Sequence, residues 1–298
     1  FYKIYISISI MRYSKPRSEK EAADILFAEE GMTKILAGGT DILVQMKSGM
    51  IKPDLILDIK GIPGIKDITE VNGGYEIGAA VSGSEFNNHS GLKLFAPGIA
   101  EAFDLIGSAQ IQGRCTIVGN LCNASPAADT VPALLTSNCV AKIVGPSGTR
   151  KCAINKILVG PGETSLKKGE FITSIFIPPR DGFSADAYLR FTPRSEMDIA
   201  VVAASVFLTL DNSGICTNAR VSLGAVAPTA ININGVVKLL VGSKLEKDVL
   251  SKLSQICSDS CDPIDDKRGT KMFRSHVAGV LAKRAAVVAY KRAGEKSE

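Results

Sequence analysis

A strand-like run, Lys34 to Ala37, passes without a spacer into Gly38-Gly39-Thr40-Asp41 and then into the helical stretch Ile42 to Met46. This junction constrains the chain most. Two glycines at a strand-to-helix turn let the backbone approach another group with no Cβ in the way. The amides at the helix start, with the helix dipole, then favour an anion. Read alone, the junction is more often plain punctuation. It lacks the three spaced glycines of the dinucleotide fingerprint and the lysine of a P-loop. Asp41 suits a helix cap or a sugar hydroxyl better than a phosphate, since two anions repel.

A second stretch, Gly107 to Asp129, is rich in Gly, Ser, Asn and Pro and reads as a long loop rather than a core helix. Within it, residues 116–129 form a compact polar segment. Ordered loops of this length usually have a functional reason. Gly119 and Asn120 can expose backbone donors, and Thr116, Asn123 and Ser125 offer hydroxyl and amide groups. Asp129, when ionised, is a pure acceptor suited to ribose or ribityl hydroxyls. A surface loop with satisfied caps is the alternative. No nucleophile stands beside a base, so no catalytic side chain is assigned.

Around these motifs the pattern alternates. Ser18 to Gly31 reads as a capped helix, Leu55 to Ile59 as a strand, and Ile65 to Val71 with Tyr75 to Val81 as a hairpin turning at Asn72-Gly73-Gly74. Ala96 to Ile106 reads as helix; Leu134 to Val144 and Phe171 to Ile177 read as strands. Ala200 to Leu210 and Ala219 to Val226 are extended runs joined through a turn at Asp211 to Gly214. Two helices close the chain, Leu245 to Cys257 and Phe273 to Ala293. The second has apolar residues at helical spacing, among them Val277, Val280, Leu281, Ala285 and Val288. The class is α+β, with a boundary near residue 180.

Composition narrows the function. The chain has 298 residues with 35 Lys and Arg against 30 Asp and Glu. The basic residues form no stripe, which argues against nucleic acid. No apolar run reaches the ~18 residues of a membrane span. The seven cysteines have no metal-site spacing and are expected to be free thiols in a reducing cytoplasm. His89 and His276, the only two histidines, are expected to be structural or exposed. The first ten residues, FYKIYISISI, are expected not to be native structure, with Met11 as the true start.

The two glycine-bearing motifs resemble those of the FAD-binding subunits of the molybdenum hydroxylase family, which includes xanthine dehydrogenase and carbon monoxide dehydrogenase. That family has an Ala-Gly-Gly-Thr-Asp segment, matched by Ala37 to Asp41. It also has a Thr-Ile-Gly-Gly-Asn segment leading to Ala-Ser-Pro and an Asp, matched by residues 116–129. Tyr75 to Ala79, Arg194 to Ala200 and Leu223 to Thr229 resemble three further family stretches. The resemblance spans residues 11 to about 293. Val118 departs from it, standing where the family commonly has Gly. If that position needs a positive φ, a β-branched residue there is costly.

The resemblance implies a two-subdomain FAD-binding domain of the PCMH (vanillyl-alcohol oxidase-like) type over residues 11–180, divided near residue 64. A C-terminal α+β domain over 185–293 would partly cover the flavin. It implies that Ile35, Leu36, Ala37, Gly38, Gly39, Thr40, Asp41 and Ile42, with Thr116, Ile117, Gly119 and Asn120, wrap the FAD diphosphate and its neighbours. Asp129 would hold cofactor hydroxyls. Ile172 and Arg190 match positions near the flavin, where a cation could stabilise charge on the reduced ring. Electrons would arrive from an iron–sulfur subunit, itself served by a molybdopterin-binding subunit, and leave to NAD or another acceptor. No metal site is expected on this chain. Two other readings stay open: a self-contained flavin oxidoreductase, and a scaffold subunit without flavin.

Overall fold

The computed structural model describes residues 11–195 and 197–295. The expectation about residues 1–10 falls outside the described residues, as does Glu196. The architecture is α+β, built on three principal sheets.

The first sheet is parallel and three-stranded, ordered Arg12–Ser14, Leu55–Asp58, Thr33–Leu36. Its central strand is buried at all four positions, as a parallel strand covered on both faces must be. The crossover helix Glu19–Ala28 starts at Ser18, whose hydroxyl accepts from the Glu21 amide at 3.1 Å. Ala22 and Ala23 seat it in the core. The edge strand Thr33–Leu36 delivers the chain to the glycine turn, and Gly39, at φ +85°, redirects it into the helix Ile42–Lys47.

The second sheet is antiparallel, ordered Ile68–Val71, Gly74–Gly78, Phe171–Ile177, Val140–Gly145, Gly148–Ala153. Its first hairpin turns through Asn72 and Gly73, both at positive φ, as the Asn-Gly pair predicts. The central strand Phe171–Ile177 carries a register irregularity between Ile172 and Ser174.

The expected loop at 107–129 contains two helices. Ala109–Gln112, Ile117–Asn123 and, just beyond, Thr130–Thr136 are helices. Of the polar residues that suggested a loop, Thr116 and Asn123 sit at helix ends, and Asn120 within the helix bonds Thr130. Thr116 caps the second helix by accepting from the Gly119 amide at 2.9 Å, and Ala124, at φ +52°, ends it. Its other face buries Ile117, Val118 and Leu121. Val118 therefore has ordinary helical backbone, and a branched side chain is unstrained there. The expected strand from Leu134 begins only at Val140, because Thr130–Thr136 coils Leu134 and Leu135 into the core.

The third sheet is antiparallel, ordered Phe183–Phe191, Val202–Leu210, Cys216–Gly224, Ile231–Asn232. The helices Lys247–Asp259 and Lys271–Glu295 pack with it around a second apolar core that includes Val206, Leu208, Leu223, Leu253 and Ala285. Between this sheet and the rest lies a buried polar joint. Asp186, fully buried, takes both guanidinium nitrogens of Arg180 at 3.0 and 2.8 Å and the Gly98 amide at 3.1 Å. Among the described residues no helix is long and apolar enough to cross a membrane.

Candidate cofactor-binding cleft

A cleft of about 260 Å³ opens between the glycine turn and the start of the helix Ile117–Asn123. One wall is Thr33, Ile35 and the run Ala37 to Ile42. The opposite wall is Cys115, Thr116, Gly119 and Asn120, with Val118, Cys122 and Asn123. Ile59, Ile106, Leu166, Phe171 and Ile172 supply apolar surface. The walls meet backbone to backbone at Gly38. A Cβ there would overlap the Arg114 carbonyl oxygen and lie 2.8 Å from its carbon and 3.1 Å from the Cys115 Cα. The two motifs, far apart in sequence, are thus adjacent in space. Farther along, Gln45 reaches Asn123 at 3.4 Å.

A network that sequence reasoning missed pins the turn from behind. Lys60 Nζ donates to the Ala37 carbonyl at 3.1 Å and pairs with Asp58 at 2.7 Å. The Tyr13 hydroxyl donates to the other Asp58 oxygen at 2.6 Å. Burial pushes the Asp58 pKa up, but Lys60 and Tyr13 outweigh it and hold the carboxyl below its ordinary value. Only the lysine beside a strand-end aspartate was legible locally; Tyr13 comes from a distant strand.

Asp41 occupies the cap position of the helix Ile42–Lys47 without making a side-chain cap bond. The capping role considered for it is therefore not realised. Partial burial raises its pKa, opposed by a hydrogen bond with Thr40. The Thr33 hydroxyl is buried without a hydrogen-bond partner among the described residues.

Four expected residues do not line the cleft. Leu36 lies beneath the turn: a Cβ on Gly39 would come within 2.9 Å of it. Ile117 is fully buried in the core. Asp129 and Arg190 form an ion pair of 2.9 Å behind the wall, and the Tyr188 hydroxyl donates to the other Asp129 oxygen at 2.8 Å. Both carboxylate oxygens are thus engaged within the protein, a constraint no local pattern announced. Burial raises the Asp129 pKa against the pull of Arg190 and Tyr188. The pair is linked to the cleft through Asn120, whose side-chain oxygen accepts from the Thr130 amide at 3.0 Å and hydroxyl at 2.6 Å.

The cleft thiols are poor nucleophiles. Burial pushes Cys115 up to about 11, with Asp41 and Asp129 acting in the same direction, and Cys122 up to about 12. His89 caps the helix Ser90–Phe95 through its ring nitrogen, and His276 is an exposed helix residue, so neither lines the cleft. An apolar-walled cleft bordered by the starts of two helices suits a large, partly anionic organic group.

Residues 8–180 match the family described as the FAD binding domain in molybdopterin dehydrogenase, and residues 187–288 match the CO dehydrogenase flavoprotein C-terminal domain. The carbon monoxide dehydrogenase medium chain of Afipia carboxidovorans is 32% identical over 287 residues, covering 94% of this chain and 97% of that protein. The xanthine dehydrogenase FAD-binding subunit of Escherichia coli O157:H7 is 28% identical, covering 91% of this chain and 93% of that protein. Among solved structures, reconstituted CO dehydrogenase from Oligotropha carboxidovorans superposes with a TM-score of 0.90 at 30% identity, covering 95% and 98% of the two chains. The chain belongs to the FAD-binding subunits of the molybdenum hydroxylase family.

Proposed function

We propose that this chain is the electron-transfer subunit of a molybdenum hydroxylase. It takes electrons from iron–sulfur clusters on a partner chain, itself joined to a molybdopterin-binding chain, and passes them through FAD to NAD or another acceptor. The observation that carries the reading is the backbone contact between the Gly38 turn and the segment leading to Thr116, which makes one cleft from two motifs.

The residues fit the group. Gly38 and Gly39 present bare backbone, and the amides of Gly39, Thr40, Ile117 and Val118 are the donors available to a diphosphate. Thr116 and Asn120 set the geometry of the second wall, and Ile35, Ala37 and Ile42 that of the first. The unpartnered Thr33 hydroxyl offers a further hydrogen bond. Ile172 supplies apolar surface for the ring end, and Asp129 with Arg190 acts on the cofactor as an ion pair from behind Asn120. Leu36 and Ile117 support the walls from the core side. We assign residues 11–180 to the flavin-binding unit and 185–293 to a covering unit. FAD supplies hydride and single-electron exchange when bound; the protein's work is to bind, orient and shield it.

The medium-chain and subunit names of the relatives support a multi-chain complex. We place that complex in the cytoplasm, in keeping with seven free cysteines. The test is capture of the complex from its native host through a tag on this chain. Two co-purifying chains, one with iron–sulfur clusters and one with molybdopterin, and a flavin bleached by the complex's substrate, are expected. A chain that purifies alone and reduces its flavin directly with a sugar or lactone would replace this reading by a self-contained oxidoreductase.

A further inference from the structure

Tyr188 was not singled out from sequence, yet it is the largest of the fully buried side chains, at 1% exposure. Tyr188 and Arg190 lie two apart on the strand Phe183–Phe191 and so project to the same face. Both reach Asp129, the phenol at 2.8 Å and the guanidinium at 2.9 Å. The Tyr188 amide donates to Glu101 at 2.8 Å, which fixes this part of the strand against the helix Pro97–Asp104. A purely packing role at this position needs no hydroxyl, and a buried hydroxyl is costly unless bonded. Arg190, with its side chain 3% exposed, gives one nitrogen to Asp129 and keeps its Nε buried with no partner among the described residues. The pair lies behind the cleft wall and meets it through Asn120, whose side-chain oxygen accepts from Thr130 beside Asp129, so its net charge acts on the cleft through that wall.

We propose that Tyr188 is a positioning residue for the flavin: its hydroxyl holds Asp129 as the carboxylate, and through Asp129 it sets the net charge that Arg190 presents to the cofactor. The inference rests on the reading that FAD lies in the cleft against Asn120, with the Asp129–Arg190 pair behind that wall. The titratable groups facing Asp129 are Tyr188 and Arg190 on the strand and Cys115 ahead of the helix Ile117–Asn123. Burial keeps the phenol well above its ordinary pKa, so it remains a donor, and the buried thiol stays neutral. The carboxylate is disfavoured by burial and is retained by Arg190 and Tyr188. Loss of the phenol donor favours its acid form. The pair's net charge then steps from zero to plus one at a higher pH than in the native protein, and a positive charge behind the wall favours the reduced flavin.

The experiment is the flavin midpoint potential of the intact complex as a function of pH, read from flavin absorbance, for the native protein, Tyr188→Phe and Arg190→Gln. In Tyr188→Phe the pH at which the slope changes is expected to rise by about one unit, the size of one hydrogen bond to a charged group. Between that pH and the lower pH of the native transition the potential is expected to be more positive than in the native protein, and below both the two curves are expected to converge. A Tyr188→Phe curve that superimposes on the native one, while Arg190→Gln shifts the potential, overturns the role of Tyr188 and leaves Arg190 acting on the flavin. An unchanged potential in Arg190→Gln overturns the placement on which the inference rests. Should Tyr188→Phe not fold, infrared difference spectra of flavin reduction in native protein carrying labelled aspartate and, separately, labelled tyrosine decide the matter. Coupled carboxyl and phenol bands support the proposal; their absence overturns it.

Discussion

Replacing Gly38 by alanine adds one methyl group at the place where the cleft walls touch. The new carbon would stand 2.8 Å from the Arg114 carbonyl carbon and 3.1 Å from the Cys115 Cα, and would overlap the Arg114 oxygen. Every one of these atoms is backbone, so no side chain can turn aside. The overlapped Arg114 oxygen is the tightest of these contacts, and restoring a carbon–oxygen separation of about 3.2 Å requires the walls to part by roughly 1.3 Å. Overpacking of this kind costs about 1–3 kcal/mol. If the cofactor draws the walls back together, that cost is charged to binding, and the FAD Kd should rise between about 5-fold and 150-fold. The assay is flavin fluorescence quenching on titration of deflavinated protein, with a thermal melt of the apoprotein alongside. Gly39→Ala is the comparison: it places an L-residue at φ +85°, a strain of about 1–2 kcal/mol, but meets only the Leu36 and Leu43 side chains, which can shift. A Gly38→Ala protein with native FAD affinity refutes the argument that the junction grips the cofactor. A lowered melting temperature with unchanged affinity reduces it to a structural contact.

Other outcomes follow from the charged joints. Arg180→Ala leaves Asp186 fully buried without its counter-ion and should lower stability by about 3–5 kcal/mol, seen as a reduced urea midpoint; an unchanged midpoint contradicts the joint. Glu170 accepts both Arg150 nitrogens at 2.8 and 2.7 Å, and this pairing lowers its pKa from 4.5 to about 2. A folded pKa below the unfolded one gives stability that is full above about pH 4.5 and is lost as the pH falls toward 2. Since Arg150 is 39% exposed, the gain is screened to about 1 kcal/mol. The melting difference between the native protein and Glu170→Gln should therefore shrink from pH 6 to about pH 3. A difference that stays constant across that range contradicts the assignment.

The elements with strong local signals were readable from sequence: the Ser18-capped helix, the Asn72-Gly73 hairpin, the long amphipathic C-terminal helix and the glycine turn itself. The helix Ile117–Asn123 was not, because Gly119, Asn120 and Asn123 argue for a loop. Its stability comes from the Thr116 cap and from burying Ile117, Val118 and Leu121, a tertiary effect that overrides weak propensity. The strand Phe183–Phe191 escaped for a related reason. Its Ser184, Ala185, Asp186 and Ala187 carry little β-propensity, and Asp186 is tolerated only because Arg180 and the Gly98 amide meet it. In the site, the two motifs were visible but their contact was not. The partners of Asp129, at positions 188 and 190, lie on another strand, and no spacing in the sequence joins them. Tyr13 behind Asp58 is the same case.

The proposed function requires one diphosphate to be gripped from both walls of one cleft. The decisive experiment is a crystal structure of the FAD-loaded chain. Diphosphate oxygens are expected within hydrogen-bond reach of the Gly39 and Thr40 amides on one side and of the Ile117 and Val118 amides on the other. A diphosphate held elsewhere, or touching only one of the two segments, would contradict it.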